Sequence, residues 1–256
     1  MKRVGIITFH AAHNYGSLLQ NYALQQTLIN LGFKPETINF RTEQQKEQYS
    51  PFKPFNELAD KRRLVLSLAF LPWKKALMKK ADLFEKFLSE NLFLTKECGN
   101  DEDLKGLSRY NAYIAGSDQI WNIGAKDFNW CYFLNFVTGV PKIAYAASMG
   151  TNPSYMLSNE KNVLNIKNLL EDFYAIGVRE EKTKSVVEKL TDKPVEIQVD
   201  PTLLLTVEEW SRHISDTPII GGAVIFYYII PIICLKYISR LQICHILLDY
   251  LLLFLI

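Results

Sequence analysis

Six consecutive residues, Ser117-Asp118-Gln119-Ile120-Trp121-Asn122, follow an apolar run that ends in Gly116 and bring four polar side chains and one indole together. Such a set suits a sugar ring or a nucleotide base: an aromatic face stacks on the apolar face of the ligand while amides and carboxylates take its hydroxyls. Asp118 supplies the one carboxylate of the set. Ser117, Gln119, Trp121 and Asn122 are the candidate binding groups around it. The same residues also fit a helix N-cap, Ser117 or Asp118, with Trp121 packed in the core.

Three further segments carry related chemistry. In His10-Ala11-Ala12-His13-Asn14-Tyr15-Gly16-Ser17, Asn14 offers an amide to hydroxyls and Gly16 permits close backbone approach. Backbone N–H groups opening a helix at Ser17 would favour an anion or a hydroxyl-rich ligand. A tight turn capped by Asn14 and Ser17 accounts for the same pattern. Histidine as a residue type titrates near neutral pH, which makes His10 and His13 candidate bases, but neither has a carboxylate partner visible in the sequence. Ser148, in Ala147-Ser148-Met149-Gly150-Thr151, offers a hydroxyl at another chain reversal. Arg179, in Val178-Arg179-Glu180-Glu181, has the planar fork that clamps a phosphate or carboxylate, or that pairs with Glu180 or Asp200.

Several classes are excluded. The four cysteines show no C-x-x-C spacing and no histidine pairs beside them, so neither a zinc site nor a disulfide scaffold is expected and a reducing compartment fits. No metal-ligand spacing, G-x-S-x-G or Walker loop is present. A net charge of +2 is too small for a nucleic-acid surface. Met1-Lys2-Arg3-Val4 runs straight into strand-like sequence with no cleavage site, so no secretory signal is read and a cytoplasmic location is expected.

The elements that must position these groups alternate. Arg3–Phe9 is a β-branched apolar run, Ser17–Leu31 has helical spacing with Gly32 where a C′ glycine belongs, and Pro35–Phe40 reads as a strand. This is a βαβ unit. Arg41–Pro54 reads as an irregular polar excursion, and 61–91 as an amphipathic helix with lysine and arginine clusters. Strands at 110–116, 142–147, 173–178 and 195–199 alternate with helices at 159–172, 180–190 and 206–213. The pattern predicts an α/β, Rossmann-like, doubly wound parallel sheet, with the four segments at the strands' carboxyl ends where such folds bind ligands.

Taken together, Asn14-Tyr15-Gly16-Ser17-Leu18-Leu19-Gln20-Asn21-Tyr22-Ala23-Leu24-Gln25, Gly116-Ser117-Asp118-Gln119-Ile120-Trp121-Asn122, Ala144-Tyr145-Ala146-Ala147-Ser148, and Val178-Arg179-Glu180-Glu181 with Val199-Asp200-Pro201-Thr202 resemble the polysaccharide pyruvyl transferase family in order and spacing. The resemblance implies the amino-terminal half of a two-domain glycosyltransferase-B type fold. It implies transfer of a pyruvyl group from phosphoenolpyruvate to a sugar of a cell-surface polysaccharide, or to its lipid-linked oligosaccharide precursor, at the inner face of the membrane. Phosphoenolpyruvate is then a donor substrate, no cofactor is expected, and the resemblance makes Asp118 the candidate catalytic group for acceptor orientation or acid/base work. The donor-contacting groups of the family come mainly from the carboxyl-terminal domain, so Arg179 is not assigned to the donor by resemblance.

The composition changes near residue 217. From Ile219 to Ile256 the formal charges are Lys236, Arg240 and Asp249, amid Ile, Leu, Tyr and Phe. We therefore expect a pyruvyl-transferase-like domain over 1–216 and an aberrant hydrophobic tail over 217–256. The tail reads either as a disrupted reading frame or as a membrane hairpin interrupted by Pro231. On this reading the chain lacks half of its cleft and is inactive alone. The competing function is a non-catalytic glycan- or nucleotide-binding module, membrane-tethered by the tail.

Overall fold

The computed structural model describes residues 1–50, 72, 74–107 and 110–213. The chain divides after Arg212, and the elements named below belong to the unit Met1–Arg212. The hydrophobic tail and the basic cluster Lys61-Arg62-Arg63 lie outside the described residues.

Six strands, β1 (Arg3–Ile7), β2 (Lys34–Thr37), β3 (Ala112–Ala115), β4 (Lys142–Ala147), β5 (Ala175–Val178) and β6 (Val195–Ile197), form one open sheet in the order β2-β1-β3-β4-β5-β6. Every adjacent pair is parallel. The fold is the α/β, Rossmann-like arrangement predicted. The strands bury both faces. Val4 and Ile6 of β1 and Ile114 of β3 pack against Leu24 and Leu28 of helix α1 (Tyr15–Asn30). Ile7, Tyr113, Ala115, Ile176 and Val178 join the larger core on the opposite face. Helices on both faces explain why these strands read as continuous apolar runs rather than alternating ones.

Helix α1 ends as the sequence indicates. Gly32 has φ +83°, its N–H donates to the Ile29 carbonyl and the Phe33 N–H to the Leu28 carbonyl, so a Schellman turn closes the helix. The expected excursion at Arg41–Pro54 is corrected over its described part. It holds helix α2 (Glu43–Tyr49), closed by a capping box in which the Thr42 hydroxyl accepts from the Gln45 N–H and the Gln45 side chain accepts from the Thr42 N–H. Its residues are almost all polar, so no apolar stripe announces it, and the helix is set by its cap. Helix α3 (Lys74–Asn91) buries Phe84 and Leu88, and α4 (Asp101–Lys105) leads into β3. Between β3 and β4 the described residues form no α-helix; a single 3-10 turn spans Trp130–Phe133. Helices α5 (Glu160–Glu171), α6 (Glu181–Val187) and α7 (Val207–Ser211) follow the predicted order, and Thr206 caps α7 with Glu209 completing a capping box.

Candidate functional site

The strand order reverses between β1 and β3: the connection from β1 goes outward to β2, and the next strand returns to the other side of β1. The loops leaving the carboxyl ends of β1 and β3 therefore part at this point, and such a switch point opens a crevice. The groups singled out from the sequence meet there. Asn14, Gly16, Ser17 and Gln20 line a cleft of about 250 Å³ from one side, Asp118 from the middle, and Arg179, Asp200 and Thr202 from the other.

Asp118 is the centre of this arrangement. Its Oδ2 accepts a 2.6 Å hydrogen bond from the Ser17 hydroxyl and its Oδ1 a 2.7 Å bond from the Gln119 N–H. The residue has φ +76°, sparsely populated for any side chain bearing a Cβ. The Asp118 carbonyl accepts from the Ser148 N–H, and the Ser148 carbonyl from the Trp121 N–H, which ties the β3 and β4 loops together. Gly116 sets the approach. With φ +128°, a Cβ there would fall 2.0 Å from the Tyr145 carbonyl oxygen. Only glycine lets β3 turn this close to β4.

Helix α1 supplies the second wall. Asn14 is its N-cap, its Oδ1 accepting from the Gly16 N–H. The Ser17–Asp118 hydrogen bond sets the Asp118 carboxylate at the positive end of the helix dipole, so the anion expected at this terminus is the protein's own. Gln20, 2 % exposed, holds the two loops together. Its Nε2 donates to Thr8 Oγ1 and to the carbonyls of Phe9 and Ser17, while its Oε1 accepts from the Ser117 N–H. Sequence reasoning gave Gln20 no role. The available signal was its place with Asn21 and Gln25 among the buried residues of α1, where polar side chains need built-in partners.

Arg179 is engaged on two sides. Its Nε donates to Glu180 at 2.8 Å and its Nη1 to Asp200 at 3.2 Å. Burial works against its charge, but the hydrogen bond to Glu180 and the charges of Glu180, Asp118 and Asp200 outweigh it and raise its pKa above the usual value. The pairing alternative weighed for this residue is the one the structure takes. Gln119, Gly150, Thr151, Glu180, Glu181 and Lys182 line a second hollow along the same rim.

Four of the expected binding side chains have other partners. Trp121 has no exposed surface; its ring stacks on Phe133 at 4.8 Å and its Nε1 donates to the Tyr132 carbonyl. The expectation that it stacks on a ligand gives way to core packing, which satisfies the indole N–H internally. Ser117 and Ser148 are likewise fully buried. Ser117 Oγ donates to the Ala146 carbonyl, and Ser148 Oγ accepts from the Gly150 N–H. Both shape the loops from within. Asn122 Oδ1 accepts from Tyr155 Oη and the Gly124 N–H, which orders the turn after Trp121.

The histidines lie on the other side of the 10–16 loop, in a separate pocket floored by Phe40 and Tyr132. His13 does have a carboxylate partner: its Nε2 meets Glu85 Oε1 at 2.8 Å, across 72 residues, and Arg41 Nη1 donates to both oxygens of the same carboxylate. His13's hydrogen bond, assisted by Arg41 and opposed by partial burial, holds Glu85 below the usual carboxylate pKa. His10 is buried, with Nε2 on Asn39 Oδ1 at 2.9 Å. Its burial drives its pKa down, and Arg41 adds to that, against the hydrogen bond to the Asn39 Oδ1.

Among the described residues no group of three or more His, Cys, Asp or Glu side chains could hold a metal ion, and no helix is long and apolar enough to cross a membrane. No curated protein and no solved structure matches the chain. The family model for polysaccharide pyruvyl transferases matches residues 14–250, a span that opens on the cleft residue Asn14 and takes in Asp118, Arg179 and Asp200. The chain therefore belongs to the polysaccharide pyruvyl transferase family.

Proposed function

We propose that the switch-point cleft holds the sugar acceptor of a pyruvyl transfer from phosphoenolpyruvate, with Asp118 as the group that orients and deprotonates the attacking hydroxyl. The observation that carries this reading is the Asp118 carboxylate, fixed at the meeting of the β1 and β3 loops by the Ser17 hydroxyl and the Gln119 N–H. Each carboxylate oxygen has more than one acceptor direction, so a hydroxyl in the cleft can be received beside those two donors. Asn14 and Thr202 line the same space and supply an amide and a hydroxyl partner.

In this reaction an acceptor oxygen bonds to C2 of the donor, the donor methylene carbon takes a proton, and the C2–O bond to phosphate breaks. A second hydroxyl then closes the ketal. Of the two hydroxyl protons lost, one is balanced by the new methyl group and the other by the released phosphate. Base assistance of this kind contributes roughly 10²–10⁴-fold. The acceptor class we assign is a sugar of a cell-surface polysaccharide or exopolysaccharide, or its lipid-linked precursor, met at the cytoplasmic face of the membrane.

The test is incubation of the full chain with phosphoenolpyruvate and neutral glycan acceptors. Acceptor-dependent phosphate release, matched by ketal formation and lowered about 10²–10⁴-fold in Asp118→Asn, is the result expected of a transferase. Sugar binding without phosphate release would leave the glycan-binding module as the function, and is also the outcome expected if residues 217–256 leave the chain without turnover. Failure of every sugar to bind would overturn the assignment.

A further inference from the structure

We infer that this cleft selects uncharged or ammonium-bearing sugars and rejects uronates and phosphorylated sugars, with Asp200 and Glu180 as the residues that set the discrimination. The inference rests on the acceptor reading above and names its substrate class.

The argument is one of charge placement. The cleft and the hollow beside it are lined by four carboxylates, Asp118, Glu180, Glu181 and Asp200, against two cations, Arg179 and Lys182. The cation nearest the candidate base is already committed, Arg179 Nε to Glu180 and Nη1 to Asp200, so its fork is not presented to an incoming carboxylate as a bidentate clamp. The other source of positive potential, the amino end of α1, faces Asp118, which receives the Ser17 hydroxyl there. An anionic sugar would therefore enter a space in which one cation, Arg179, is already paired and the other, Lys182, is held to the Thr151 carbonyl, so that four carboxylates against two cations leave a net negative field. Like charges brought together at a partly desolvated site exact a larger penalty than at a free surface, and this is how a binding site rejects a near-isosteric competitor. A hydroxyl or ammonium can instead donate to these carboxylates.

The experiment is a chemical-shift titration of the full chain with matched methyl hexosides, hexosaminides with a free amine, hexuronates and hexuronamides. The uronamide has the shape of the uronate without its charge. The inference expects the uronamide to bind like the parent hexoside, the amine at least as tightly, and the uronate at least about tenfold more weakly at low salt. It also expects that gap to narrow in 0.5 M salt, at roughly a 4 Å Debye length, and to narrow at low salt in Asp200→Asn and Glu180→Gln. The salt arm does not depend on either variant folding. A uronate that binds as tightly as its amide, or a gap indifferent to salt, would overturn the inference and leave the sugar reading standing. Absence of binding by the whole series would sink the sugar reading, and this inference with it.

Discussion

At the residue scale, the site depends on backbone conformations that few side chains adopt. Gly116→Ala would force a Cβ to within 2.0 Å of the Tyr145 carbonyl at φ +128°, so the β3–β4 contact must open. We expect a loss of about 2–4 kcal/mol in urea denaturation. Gly139→Ala is the control: its φ is +74° but nothing lies within 4 Å of the added carbon, so only the conformational cost of about 1 kcal/mol applies. Equal costs for the two would show that contact with Tyr145 is not what Gly116 avoids. Ser17→Ala removes the donor to Asp118 Oδ2. A hydrogen bond to a charged group is worth about 1.5–3 kcal/mol, so turnover should fall roughly 10- to 100-fold, chiefly in kcat. Turnover unchanged by the substitution would remove Ser17 from the machinery. Both partners are in segments legible from the sequence, but their pairing across 101 residues is not, because no periodicity reports a contact made by two loops.

At the scale of elements, legibility followed the apolar pattern. Helix α1 and its glycine stop could be read from leucine spacing. Helix α2 could not, since Glu43–Tyr49 has no stripe and depends on the Thr42–Gln45 capping box. Thr42→Ala should cost about 1 kcal/mol and loosen α2, lowering amide protection over 43–49 in hydrogen exchange; unaltered protection would mean that Gln45's bonds to Tyr132 and Asp127 hold the helix alone. The segment around Asp118 failed in the opposite sense. Its polar density suggested ligand contact, yet Ser117 and Trp121 were spent on joining loops and core, because a buried polar atom must find a partner as surely as a functional one does. Gln20 shows the same rule applied to α1. Gln20→Leu would strand the Ser117 N–H and at least one carbonyl, at roughly 1–3 kcal/mol each, and we expect about 2–4 kcal/mol of lost stability. A leucine variant as stable as the parent would show that the two loops hold their places without it.

For the whole molecule, strand and helix alternation made the parallel sheet legible, while the order of its strands was not, since alternation fixes neither the side nor the distance of each crossover. That order is what creates the cleft, and it also places the polar chain His10–Asn39–Arg41–Glu85–His13 beside it, joining β1, the end of β2 and α3. Two of its members tie global stability to pH in separate windows. His10 has a folded pKa below its ordinary 6.5, burial being the main cause. The unfolded chain then binds the proton more readily than the folded one, so His10 destabilises the fold progressively as pH falls below about 6.5 and is without effect at higher pH. Glu85 is depressed below 4.5 by His13 and Arg41, so its stabilising contribution is present above that value and is lost as pH falls further, through its folded pKa. Between pH 7 and 5 the loss is thus assigned to the buried imidazole rather than to the carboxylate. Thermal melts of the full chain should show stability declining over that interval, and His10→Gln, which keeps an amide toward Asn39 and cannot charge, should flatten the decline relative to its own value at pH 8. Parallel curves for the two proteins would mean that His10 is not the group that takes up the proton.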